Sequence, residues 1–140
     1  CHSLGATVER AESMSSGVWD LALNSHGSSD ELFSNRGSGE GGAPVALYSH
    51  QDHVMDVPES CLLLGSAEHN RVTAVRVVGD DGMGLPAWGV QFHPEAAKAR
   101  VERAFDWGHI SEEEMVAFQR EHDGAGVLNS FASVVHANID

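Results

Sequence analysis

The chain has 140 residues, 41% of them apolar, enough for one domain with a core and not enough for two. Eight Lys and Arg stand against 21 Asp and Glu, a formal charge of −13, which removes the phosphate attraction that most nucleic-acid binding depends on. No apolar run approaches the roughly 20 residues of a membrane span, and the two distant cysteines, Cys1 and Cys61, make neither a metal spacing nor a disulfide framework, so a cytoplasmic, reducing setting is expected.

Residues His2 to Glu9 read as the middle of a longer segment. Val18 to Leu23 (VWDLAL) is short, apolar and bounded by Gly17 and a polar stretch, as expected of a strand. The glycine-rich stretch from Gly37 to Gly42 predicts a flexible surface loop. Val45 to Tyr48 (VALY), Cys61 to Gly65 (CLLLG) and Val72 to Val78 (VTAVRVV) predict three more strands, the last rich in the β-branched residues that suit a pleated surface. Turn chemistry at Gly79-Asp80-Asp81-Gly82 predicts an antiparallel hairpin into a final strand, Trp88 to Phe92.

The period then changes. In Ala96 to Trp107, the residues Ala97, Val101, Ala104 and Phe105 recur at helical spacing and share a face. Ser111 with Glu114 is a capping box that opens a second helix, expected to stop near Gly124. Val127, Leu128, Phe131, Val134 and Val135 then line one face of a third. There is no internal repeat.

The residues richest in chemistry are Gly89 to Glu95, GVQFHPE, where a strand pattern ends in a histidine and a carboxylate separated by proline. Side chains two apart in an extended chain point the same way, so His93 and Glu95 can face one site. Pro94 has a fixed φ and no N–H, which stops the ladder and leaves the pair at a strand end, where open α/β sheets place ligands. A histidine oriented by a carboxylate is the base half of a nucleophilic triad that lacks only its serine or cysteine.

The string GVQFHPE resembles the terminal motif of class I glutamine amidotransferases, in which G-[VI]-Q-F-H-P-E supplies the catalytic histidine and glutamate. Leu4 to Arg10 (LGATVER) is similar to the L-G-G-x-V stretch of that family, and Tyr48 to Val54 (YSHQDHV) to its substrate-loop segment, S-H-x-D-x-V. Asp30-Glu31-Leu32-Phe33 matches the D-x-L-F string of members resembling the amidotransferase part of GMP synthase. The resemblance spans essentially the whole chain and implies an α/β, flavodoxin-like fold seen in its C-terminal half, with mixed strands followed by helices. Residues 1–140 would then form a partial amidotransferase domain.

The family's nucleophile lies in G-[IVL]-C-[LF]-G-[HM]-Q, an elbow that exposes the thiol and aims backbone N–H groups at the oxyanion. Cys1 is followed by His2, Ser3, Leu4 and Gly5 and does not fit, so the cysteine is expected upstream of residue 1, with Cys1 in the helix behind it. Cys61, inside an apolar strand, reads as a small core residue. The implied activity is hydrolysis of glutamine to glutamate and ammonia through a Cys-His-Glu triad. His93 moves the proton and Glu95 orients it, no cofactor takes part, and ammonia passes to an acceptor on a partner synthase domain or subunit. Gln51, Asp52 and His53 are the candidates for substrate contact.

Three other readings compete. His50-Gln51-Asp52-His53 contains H-x-D-H, part of a zinc motif of metallo-β-lactamase-like hydrolases that His69 and His93 could complete. Tyr48 stands where that motif needs its first histidine, so no metal is assigned and His50 and His53 read as polar groups on a surface loop. The same Cys-His-Glu site also serves γ-glutamyl hydrolases and peptidase-like members. A chain with no upstream cysteine would be a non-catalytic binding module.

Overall fold

A computed structural model describes residues 1–35 and 37–139. Six strands, β1 (Val8–Asp20), β2 (Ala22–Leu23), β3 (Val45–Val54), β4 (Cys61–Ala67), β5 (Asn70–Val78) and β6 (Gly84–Val90), precede most of the helical chain. The helices are α1 (Ser25–Ser28), α2 (Lys98–Asp106), α3 (Glu112–Ala117) and α4 (Gly124–Ala137), with single 3-10 turns at His2–Leu4, Glu31–Phe33 and Glu40–Gly42. Strands β1 and β3 pair as one sheet, β2, β4, β5 and β6 as another, and every pairing is antiparallel among the described residues.

The main core lies between the two sheets and is closed by α4 and the Glu31–Phe33 turn. Leu21, Leu32, Phe33, Ala46, Tyr48, Leu64, Ala74, Phe92 and Val127 form it. Tyr48 is fully buried at its centre, and burial pushes its phenol up to about 12, so it packs as a neutral ring. A smaller cluster of Cys61, Val72 and Val75 packs against Cys1, Val54 and Val57, so Cys61 is the core residue its apolar strand predicts.

The predicted strands from Val45 onward are present, and the hairpin from β5 to β6 turns at Gly79–Met83 as expected, with Gly82 at a φ of 74°. Several predicted boundaries require correction. The first strand begins at Val8 rather than Val18, because Val8–Arg10 pairs with Asp52–Val54 before a bulge and Ser15–Asp20 pairs with Val45–His50 after it. Its polar first half carries no hydrophobic alternation, since a two-stranded ribbon there has solvent on both sides. The same pairing extends β3 to Val54, so His50 and His53 lie in a strand and not on a surface loop.

The helix opened at Ser111 has the predicted capping box but ends at Ala117, short of Gly124. Residues 118–123 are taken by tertiary contacts instead: Phe118 is buried, Arg120 pairs with Asp20, His122 donates to the Ala96 carbonyl, and Asp123 accepts from Ser38 and Val45. The last strand runs from Gly84 to Val90, starting four residues and ending two residues earlier than expected, and after one more bond from Gln91 to β5 the chain turns to β3. Helix α2 forms where predicted, yet none of its residues is buried and Phe105 stays exposed. On α4, Val127 and Val134 are buried while Leu128, Phe131 and Val135 are partly exposed.

One buried charge organises the middle of the molecule. The Asp30 carboxylate accepts from the Leu32 backbone at 2.9 Å and the Trp88 indole at 2.9 Å, and pairs with the Arg76 guanidinium at 3.0 Å. Arg76 also donates to the Leu85 carbonyl and stacks 4.7 Å over the Trp88 ring, so the start of the DELF string is tied to both strands of the β5–β6 hairpin. Removing the cation leaves Asp30 buried and unpaired, which costs about 3–5 kcal/mol. Arg76→Met is therefore expected to lower the urea midpoint sharply, with Asp30→Asn milder because the indole and backbone bonds survive; a midpoint within error of the parent for Arg76→Met refutes this account.

Candidate active site

His93 stands where backbone bonds to the two sheets follow within three residues. The Gln91 N–H donates to the Thr73 carbonyl of β5 at 2.9 Å, and the His93 N–H donates to the Leu47 carbonyl of β3 at 2.8 Å. Phe92, between them, is buried in the main core. The ladder with β5 is thus exchanged for a bond to β3 within two residues, and Pro94, with no N–H, cannot prolong it.

The turn that follows is held from the C-terminal helix. Gly124 opens α4 so close to the His93–Glu95 turn that a Cβ there would lie 2.3 Å from the Pro94 carbonyl oxygen. His122 donates from Nε2 to the Ala96 carbonyl at 2.8 Å, and its Nδ1 accepts from the Gly124 N–H at 3.2 Å. Asp123 accepts at one oxygen from the backbone of Ser38 and Val45 and from the Ser38 hydroxyl, while its own N–H donates to the Val45 carbonyl. Both ends of the His93–Glu95 turn are thereby tied to β3.

Within the turn, His93 Nδ1 and Glu95 Oε1 are 3.0 Å apart, with both side chains about half exposed. Burial pushes the Glu95 carboxyl up, but the bond from His93, its own N–H and the charges of His93 and Arg100 together hold it below the usual range. An ionised carboxylate can only accept, so Nδ1 carries the hydrogen and Nε2 the lone pair. Nε2 faces the Ser49 carbonyl at 3.4 Å, at the outer limit of a hydrogen bond. The imidazole can take a proton at Nε2, and the cation so formed has an acceptor at each nitrogen.

The other predicted site residues are engaged elsewhere. Gln51 accepts from Arg10 at 2.6 Å and donates to the Ala11 carbonyl at 2.9 Å, so its amide bridges the bulge of β1. Asp52 is exposed 3.9 Å from Arg10, and its carbonyl accepts from His50 Nδ1 at 3.0 Å. His53 lies 3.5 Å from the Ser15 hydroxyl with its ring 4.8 Å from that of His50. His50 and His69 touch Nε2 to Nε2 at 3.1 Å, yet no group of three ligating side chains among the described residues is arranged to hold a metal ion. Neither cysteine sulfur hydrogen-bonds His93 among the described residues; Cys1 caps the His2–Leu4 turn and packs on the Cys61 cluster.

Comparison with solved structures recovers this fold. A glutamine amidotransferase from Thermotoga maritima superposes with a TM-score of 0.64 at 20% identity, over 95% of this chain and 56% of its own. A protein assigned as a GMP synthase subunit, from Thermoplasma acidophilum, gives 0.58 at 18% identity, over 97% of this chain and 53% of its own. A glutamine amidotransferase from Methylobacillus flagellatus gives 0.56 at 20%, over 81% and 39%. The chain has the class I glutamine amidotransferase fold. It spans 39–56% of the length of these three structures. No family model and no curated protein sequence matches it. At such identities the amidotransferase fold is carried by backbone geometry rather than by residue identity. No helix is long and apolar enough to cross a membrane among the described residues.

Asp123 is a support that sequence patterns missed. Asp123 precedes a helix start, a placement that marks a cap, but its carboxylate serves β3 and the Ser38 segment instead of its own helix. His69 has a testable signature: burial lowers it from 6.5 to about 4, with the neighbouring His50 and His53 adding to the shift. The unfolded chain takes up a proton there that the folded chain refuses, so stability falls as pH drops through this window and levels off below it. Urea midpoints across the window are expected to decline in the parent and to lose part of that slope in His69→Phe; identical slopes refute a His69 held neutral by the fold.

Proposed function

We propose that the chain is the C-terminal part of a domain that hydrolyses glutamine to glutamate and ammonia, using His93 and Glu95 with a cysteine from a segment preceding Cys1. The observation that carries this reading is the 3.0 Å pair of His93 Nδ1 and Glu95 Oε1, held in the turn that follows β6 on an amidotransferase fold.

In this mechanism the thiol proton passes to His93 Nε2 as sulfur attacks the γ-carboxamide carbon. Glu95 holds the Nδ1 hydrogen and stabilises the imidazolium, and the Ser49 carbonyl receives the new Nε2–H. The imidazolium then gives its proton to the leaving nitrogen, ammonia departs, and a glutamyl thioester remains. Water, deprotonated by the same Nε2, resolves the thioester to glutamate. One relative bears the name of a GMP synthase subunit, which supports a separate acceptor-binding partner for the ammonia.

The test is ammonia release from glutamine by the full-length protein. His93→Asn is expected to lower kcat by about 10²–10⁴, the contribution of general acid–base transfer, with Glu95→Gln losing less because it removes orientation and not the proton carrier. Turnover in His93→Asn within about threefold of the parent, far less than loss of a general base costs, sinks the assignment.

Two further outcomes follow from the same chemistry. Cys1→Ser is expected to leave turnover unchanged, and its loss would make Cys1 the nucleophile. Chelation is expected to have no effect; about one zinc per chain, removed together with activity, would favour the metal-dependent hydrolase.

A further inference from the structure

The H-x-D-H string is not used by the mechanism above, yet the fold gathers its histidines. His50 on β3, His53 further along β3 and His69 in the β4–β5 turn have ring centroids 4.8, 5.2 and 6.2 Å apart. The Trp19 ring lies 4.3 Å and the Tyr48 ring 4.7 Å from that of His69, so apolar rings form one wall of the cluster. His69 and His53 also border an open cleft with Glu9, Arg10 and Arg71, which gives water a route to them.

Hydrogen positions follow from the acceptors. The Asp52 carbonyl can only accept, so His50 carries its hydrogen on Nδ1 and presents a bare Nε2. The 3.1 Å contact then needs the hydrogen on His69 Nε2, leaving His69 Nδ1 as a lone pair. That atom is buried and has no partner. Only this combination of neutral tautomers fits both contacts.

An added proton has two places to go. On His69 Nδ1 it would make a buried N–H with no acceptor, beside Trp19 and Tyr48 and close to His50 and His53. On His50 Nε2 it would set two N–H groups against each other at 3.1 Å, with His53 and His93 adding like charge whenever they are protonated. Among the described residues the exposed Asp52 carboxylate is the acidic group favouring the charged form of His50, and it is outweighed by burial. Either site requires the Glu68–His69 turn to move away from β3.

We propose that His50 and His69 form a proton-operated latch, which clasps the middle of β3 to the β4–β5 turn while both rings are neutral and is opened by a single proton. The latch ties the two sheets together at a point apart from the join at residues 91–93. The strand it holds supplies the Ser49 carbonyl facing His93, so opening it would also loosen the candidate site, a consequence that rests on the amidotransferase reading.

Nitrogen-detected NMR of the full-length protein with labelled histidines tests the latch without using glutamine, so it succeeds or fails independently of that reading. At neutral pH the Nδ1–H tautomer is expected for His50 and the Nε2–H tautomer for His69. Both should titrate in one step below the ordinary histidine value of about 6.5, with amide exchange of Tyr48–Asp52 rising about tenfold or more, the effect of one unit of pKa difference. In His69→Gln, whose amide donates but does not titrate, that acid step should vanish from the β3 amides while protection at neutral pH persists. The reverse tautomers, titration of His69 in the ordinary range, β3 exchange that ignores the step, or its persistence in His69→Gln would each overturn the proposal.

Discussion

The backbone exchange at residues 91–93 is the constraint on which the candidate site depends. Gln91 still belongs to β5, and His93 already belongs to β3. Two consecutive bonds to different sheets leave the intervening Phe92 no direction but inward, where it fills the core beside Tyr48. His93 is thereby held at the seam of the molecule, with its backbone ordered by strong bonds and its ring free on the outer side. A histidine carried by a loop would lose conformational entropy at each turnover; here that loss is met once, in folding.

Polar groups then fix what apolar packing leaves loose. Hydrophobic contact has no direction, and cores tolerate many arrangements of similar volume. A buried carboxylate does not, because each unmet oxygen costs free energy. Asp30 accordingly ties a 3-10 turn to one hairpin through Arg76 and Trp88, and the partly buried Asp123 ties the start of α4 to β3 and the Ser38 segment. These two residues define where the hairpin, the 3-10 turn, β3 and the last helix meet.

The acidity of the chain fits this division of labour. Of the carboxylates, Asp30 is the one that is buried among the described residues, and it carries a cation, whereas the run at Glu112–Glu114 occupies the first turn of α3, where the helix dipole favours negative charge. The carboxylate of the candidate site, Glu95, is kept ionised by its histidine in spite of partial burial. Charge that repels nucleic acid at long range therefore has local structural uses at short range.

The sequence by itself determined what depends on neighbours in the chain. A short apolar run and β-branching located β4 and β5, the Gly79–Gly82 turn located the hairpin, the capping box located α3, and GVQFHPE brought an imidazole and a carboxylate together just past a strand. Those features arise from period, propensity and φ restriction, which act over a few residues. Only the tertiary structure decided the rest. The polar half of β1 is a strand because β3 offers it partners, residues 118–123 leave the helix because more distant groups bind them, and Gln51 turns to Arg10 and Ala11 instead of lying free on a loop. The pairing of His50 with His69 across nineteen positions is of the same kind. Each is a bond between groups that the chain brings together only after it has folded, and no local pattern encodes the partner.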